Sequence, residues 1–226
     1  MTVPPLQDFT GGEWIRAVGI DPGGEAGLVA VLVPPSLDVA RGRFIGCASI
    51  NTGTSVHESK PQIRARMFHR IRDLLLAWQP SVVVLEEPWD AMPAWGAGRR
   101  TKGASRGTIF SLGSHFGLAL AAASDLGAYV RIASYPVTSA RAKERETVRG
   151  TRTTPERIGW MQRRNPKPPS RDRVLSHYRA MLREIKAFPV NGVLPSTDEL
   201  DRVEAEDVYM SLGVLDFHFD RERGRV

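Results

Sequence analysis

The run "SVVVLEE" at residues 81 to 87 constrains this chain more than any other stretch. Its Val and Leu residues leave no polar face, and the run is too short for a helix of ordinary length. It therefore reads as a strand covered on both sides, as at the centre of a parallel sheet. Parallel neighbours need crossover connections, which lay helices on the sheet and put the chain in the α/β class. The run also ends in two carboxylates. Successive strand residues point to opposite faces, so Glu86 and Glu87 cannot both serve one site, and the strand by itself does not choose between them.

The remaining elements follow from periodicity. Residues 14 to 21, 27 to 33 and 43 to 50 are apolar runs separated by Gly, Pro and Asp, the pattern of an antiparallel meander. The first of them closes on "VGIDPGG", which carries Asp21 to the strand end and turns the backbone directly after it with Pro22, Gly23 and Gly24. Ile63, Met67, Ile71, Leu74, Leu75 and Trp78 recur at helical spacing in "KPQIRARMFHRIRDLLLAW", and Pro80 ends that helix. "SLGSHFGLALAAASDLG" reads as a helix of small residues, "AYVRIASYPV" as a fifth strand, and residues 171–187 and 197–217 as two closing helices. Residues 144–171 are rich in Arg and Pro with no clear period and read as a basic excursion. The expected architecture is a mixed five-stranded sheet, an antiparallel meander plus two parallel strands, flanked by helices. It occupies a single domain over residues 14–217, with an extension at 1–13 and a tail at 218–226.

Charge narrows the partners. The chain carries a formal +6 with a pI near 9.9. Between Arg141 and Lys186, 14 Lys and Arg face 5 Asp and Glu, which leaves the rest of the chain slightly acidic. A basic surface beside an acidic remainder suits a polyanion such as nucleic acid, with carboxylates reserved for another purpose. The longest apolar runs fall well short of the roughly 20 residues that cross a bilayer, and the first residues lack a basic start and apolar stretch. An intracellular, cytoplasmic protein with no membrane partner is expected. The single cysteine, Cys47, lies in an apolar strand and is expected to be a buried structural thiol.

If the first and fourth strands are parallel neighbours, Asp21 and Glu86 meet at the carboxyl ends, the edge where open α/β sheets place ligands. The final helix adds acids. "STDELDRVEAEDVYMSL" opens with Ser196 and Glu199 in capping-box spacing, and Ala205, Val208, Leu212 and Leu215 make its apolar stripe. Glu204 and Asp207 share a face beside that stripe, continued by the small Ser211, and repel each other by a few tenths of a kcal/mol. A divalent cation would relieve this. Four carboxylates form an all-oxygen donor set suited to Mg²⁺, or Mn²⁺ in its place, rather than zinc. Sites of this type hold two ions about 3.5–4 Å apart in phosphodiester hydrolysis.

These residues resemble the Holliday-junction resolvases of the RuvC type, within the RNase H-like nuclease superfamily. "VGIDPGG" is similar to the family's first-strand motif, "VVVLEEPW" to its fourth-strand motif, and "EAEDVYMSL" to its final acidic helix. "SLGSHFGLALAAA" is similar to a small-residue helix that takes part in dimer formation in family members. The resemblance implies an RNase H-like fold, a homodimer, and paired metal-dependent cleavage of four-way or other branched DNA. It implies Asp21, Glu86 rather than Glu87, Glu204 and Asp207 as catalytic metal ligands. It further implies Trp89 as an aromatic that stacks on bases, where each stacked base is worth about 1–3 kcal/mol. Arg141 and Lys143 lie where the family has basic residues near the scissile phosphate. Two departures stand out: Glu204 replaces the usual Asp or His, which leaves Glu206 as an alternative, and the 144–171 excursion is long. The excursion, together with the short N-terminal extension, suits a divergent branch, such as a phage-borne one.

"GRRTKGAS" superficially resembles a phosphate-binding loop. The position that requires Lys is Ala104, and no strand runs into the loop, so no nucleotide cofactor is expected. Arg99, Arg100, Lys102 and Arg106 are read instead as a basic DNA-facing loop. The five His residues show no metal or triad spacing, and His69 and His115 read as surface or packed helix positions. An RNase H-like nuclease acting on other branched DNA or on RNA, and a non-catalytic nucleic-acid-binding module, are the competing readings. An actin-like phosphotransferase would need a second copy of the fold.

Overall fold

A computed structural model describes residues 13–22, 25–51, 58–86, 106–133, 171–188 and 206–223. Among them, β1 (Ile15–Asp21), β2 (Glu25–Val33), β3 (Arg43–Asn51), β4 (Val82–Glu86), β5 (Tyr129–Ala133) and β6 (Lys186–Ala187) form one mixed sheet, ordered β5-β4-β1-β2-β3-β6. β1, β2 and β3 are the antiparallel meander, and β4 and β5 extend it in parallel from β1. Sequence reading missed β6, which pairs parallel to β3 only at Arg43↔Lys186 and Phe44↔Ala187. The helices are α1 (Lys60–Trp78), α2 (Arg106–Asp125), α3 (Arg171–Glu184) and α4 (Glu206–Glu222), and a 3-10 turn at Val39–Arg41 joins β2 to β3.

Helices cover both faces of the sheet, and the alternation of strand residues assigns each side chain to a layer. Val82 and Val84 of β4 pack with Tyr178 and Leu182 of α3 and with Val208, Leu212 and Leu215 of α4. Val83 and Leu85 pack on the other side with Met67, Ile71 and Leu75 of α1 and with Ala119, Ala122 and Ala123 of α2. This two-sided burial is why "VVVL" has no polar position. β1 divides in the same way, with Ile15 and Ala17 toward α4 and Val18 and Ile20 toward α1. β3 breaks the alternation. Its register against β2 shifts between Ala30 and Val31, leaving Ile45 as an extra residue, so Phe44 and Cys47 both face α4 although they are three apart.

Local chemistry sets the helix ends. The Ser59 N–H and hydroxyl both meet Gln62 Oε1 at 2.8 Å at the start of α1, and Gln79 closes that helix in the left-handed region (φ 48°), its N–H on the Leu75 carbonyl at 2.8 Å. α2 begins at Arg106, earlier than its small-residue motif indicated. α4 runs on to Glu222, beyond residue 217, because Phe217 and Phe219 continue its burial. The expected capping box at Ser196 and the 144–171 excursion lie outside the described residues. Cys47 is buried, and among the described residues no helix is long and apolar enough to cross a membrane.

Candidate active site

Asp21 and Glu86 are the last residues of β1 and β4. These strands are parallel neighbours whose register runs through Ile20↔Leu85, so the two carboxylates stand side by side at the next position. Both face α4, since Asp21 alternates in step with Ile15 and Ala17, and Glu86 with Val82 and Val84. Glu87 lies outside the described residues.

α4 reaches this edge through two missing side chains. Gly27 pairs with Asp21 across the β1–β2 ladder, and a Cβ there would overlap the Asp207 carbonyl and lie 2.6 Å from the Val208 nitrogen. A Cβ on Gly19 would overlap the Ser211 carbonyl and lie 2.8 Å from Leu215 Cγ. Helix backbone therefore sits directly on strand backbone, and the first turn of α4 is held beside the end of β1. Ser211, fully buried, fixes the fit: its Oγ accepts the Asp21 N–H at 3.0 Å and donates to the Asp207 carbonyl at 2.7 Å. One hydroxyl thus ties together the backbones of two predicted site residues. In the sequence this serine was only a small residue one turn after Asp207; the four-residue spacing was the available signal.

The structure thus brings Asp21, Glu86 and the Asp207 turn to one sheet edge, each half-buried. Carboxylate oxygens are the donor type a hard divalent cation requires. Among the described residues, however, no group of three or more His, Cys, Asp or Glu is arranged to hold an ion. Glu204 lies outside the described residues, as do Trp89, Arg99, Arg100, Lys102, Arg141 and Lys143. Arg106 is the first residue of α2, and Glu206 the first of α4.

Farther along, α4 buries more polar groups: Asp216, His218 and Asp220. Arg223 bridges Asp220, on its own helix, and Asp38 in the β2–β3 connection at 3.6 Å. Burial holds His218 down at about 4, with Arg131 and Arg221 acting in the same direction and Glu222 opposing. His115 is buried on α2 and His69 exposed on α1, as packed and surface positions should be.

No protein-family model and no curated protein sequence matches the chain. Solved structures do. Thermus thermophilus RuvC in complex with a Holliday junction substrate superposes with a TM-score of 0.55 at 17% identity, over 93% of this chain and 97% of that one. A second T. thermophilus RuvC structure gives 0.51 at 19% identity, over 93% and 98%. The yeast mitochondrial Holliday junction resolvase Ydc2 gives 0.47 at 10% identity, over 97% and 89%. The fold is that of RuvC, RNase H-like, as the motifs implied.

Proposed function

We propose that the chain is a structure-selective endonuclease that resolves four-way DNA junctions by metal-dependent phosphodiester hydrolysis, acting as a homodimer. One observation carries the reading: Asp21 and Glu86 end adjacent parallel strands on the face where Gly27 admits the Asp207 turn. The RuvC fold supports it, since one T. thermophilus RuvC of that fold was solved with a Holliday junction substrate.

Asp21, Glu86 and Asp207, joined by Glu204, would hold Mg²⁺ or Mn²⁺, two ions per site. When bound, such ions lower the pKa of water and neutralise charge on a leaving oxygen. The chain's own residues do the rest. Strand ends fix Asp21 and Glu86 on rigid backbone, and Ser211 holds the Asp207 turn in register with them. The basic residues Arg99, Arg100, Lys102, Arg106, Arg141 and Lys143 contact phosphates, and Trp89 stacks on an unpaired base. A dimer offers two such sites to a substrate with approximate two-fold symmetry.

The test is cleavage of a labelled four-way junction, against linear duplex, by wild type and Glu86→Gln in Mg²⁺, Mn²⁺ or EDTA. Paired nicks that need metal and vanish in Glu86→Gln, with junction binding retained, are expected. Binding without cleavage in any metal would mean a non-catalytic module. Equal cleavage of duplex and junction would mean a general RNase H-like nuclease.

A further inference from the structure

β5 is the edge strand beside β4 in the described sheet, and Arg131 lies at its middle. It pairs with Val84, so its side chain points to the same face as Val84 and Glu86. Two residues on, Ala133 pairs with Glu86 itself. With strands about 4.8 Å apart and about 3.3 Å of rise per residue, the Arg131 backbone is roughly 8 Å from that of Glu86.

The guanidinium is braced but, among the described residues, unmatched. It stacks 4.4 Å from the centroid of the Tyr129 ring, which braces the stem, and its Nε is buried without a hydrogen-bond partner. It forms no ion pair with any described residue. His218 lies close enough for Arg131 to help hold it neutral, and its Nε2 is also buried without a hydrogen-bond partner. Glu222, the carboxylate that acts on His218, is exposed at the end of α4. A half-buried guanidinium without an anion is unfavourable, and its planar fork matches phosphate oxygens. Arg43 is also stacked, between Trp14 (5.3 Å) and Phe188 (6.0 Å), but it opens β3 at the opposite end of the sheet from Asp21. Position selects Arg131.

Resting on the reading above, we propose that Arg131 binds a backbone phosphate of the DNA strand that enters the Asp21–Glu86 edge from the β5 side. The contact is to phosphate, so it adds affinity and orientation without base preference. It is independent of the basic residues named from the sequence.

The experiment measures four-way-junction affinity over a NaCl series in EDTA, which separates binding from cleavage, for wild type, Arg131→Gln, Arg131→Met and Arg131→Lys. A lost phosphate contact lowers the slope of log K against log salt by about 0.9. Arg131→Gln and Arg131→Met should show this drop with affinity about tenfold weaker near 0.1 M salt, and Arg131→Lys should restore most of the slope. Thermal unfolding of each variant monitors folding, and Arg131→Met keeps the stem on Tyr129 should Arg131→Gln fail to fold. Slopes equal to wild type in folded variants would overturn the proposal while leaving the junction reading intact. A wild type that does not prefer the junction to linear duplex would overturn that reading itself.

Discussion

The two helical layers of this protein bury their surfaces by opposite means. On the α1 and α2 side, Met67, Ile71, Leu75 and three alanines press ordinary apolar side chains onto Val18, Ile20, Val83 and Leu85. On the α4 side, backbone meets backbone over Gly19 and Gly27, and four of the five buried polar residues described, Ser211, Asp216, His218 and Asp220, belong to that one helix. The first layer is tolerant, because hydrophobic side chains of similar size can replace one another there. The second is not. Its fit depends on atoms that are missing from two glycines and on hydrogen bonds with fixed geometry, and it is the layer that carries the acidic edge.

Changes to the α4 side should therefore disturb both folding and chemistry, and changes to the other side folding alone. The largest effect is expected from Gly27→Val. Its side chain would press on the Asp207 and Val208 backbone, costing about 3 kcal/mol in urea unfolding, and a displaced Asp207 turn should lower junction cleavage about 100-fold. Unchanged cleavage would show that the close approach is not what sets the site.

Acid comes next. His218 titrates near 4 in the folded protein against 6.5 when exposed, so between those values the unfolded chain binds more protons. Stability is fully present above pH 6.5 and drains as pH falls toward 4, by about 3 kcal/mol in all. Urea titrations at pH 7 and pH 4.5 should show this loss shrink in His218→Gln; an equal loss would place the acid sensitivity elsewhere.

Ser211→Ala is smaller, at about 1–2 kcal/mol, because it strands the Asp21 N–H. Its signature is a higher Mg²⁺ concentration for half-maximal cleavage with junction affinity unchanged. Ile71→Val, on the tolerant side, should cost about 1 kcal/mol and leave the Mg²⁺ response at its wild-type value. A shift there equal to that of Ser211→Ala would erase the distinction between the layers.

What could be read from the sequence divides along the same line. The strands β1 to β5 and α1 were legible because their apolar spacing reports burial and Pro and Gly mark their ends. β6 was not: Lys186 and Ala187 are both exposed, and a two-residue pairing leaves no periodic trace. The end of α4 was hidden for a different reason. "DFHFD" alternates like a strand or a tail, and only a helix buried on nearly every side makes Asp216, His218 and Asp220 interior residues. At the edge, Asp21 and Glu86 could be named because strand ends and alternation are local properties. Ser211 and Arg131 could not, since their roles come from what lies opposite them in space.

The extra residue in β3 bears finally on how separate copies of the chain avoid one another. Among the described residues, the short β6 pairs with that strand at Arg43 and Phe44. A straight strand of this length at a sheet edge would be a template for runaway pairing between molecules. The bulge at Ile45 falls where the β6 pairing stops, and it adds twist and a bend to the strand at that point. Deleting Ile45 would straighten the register against β2 and leave a flatter edge, so that the variant should aggregate more readily than wild type in light scattering.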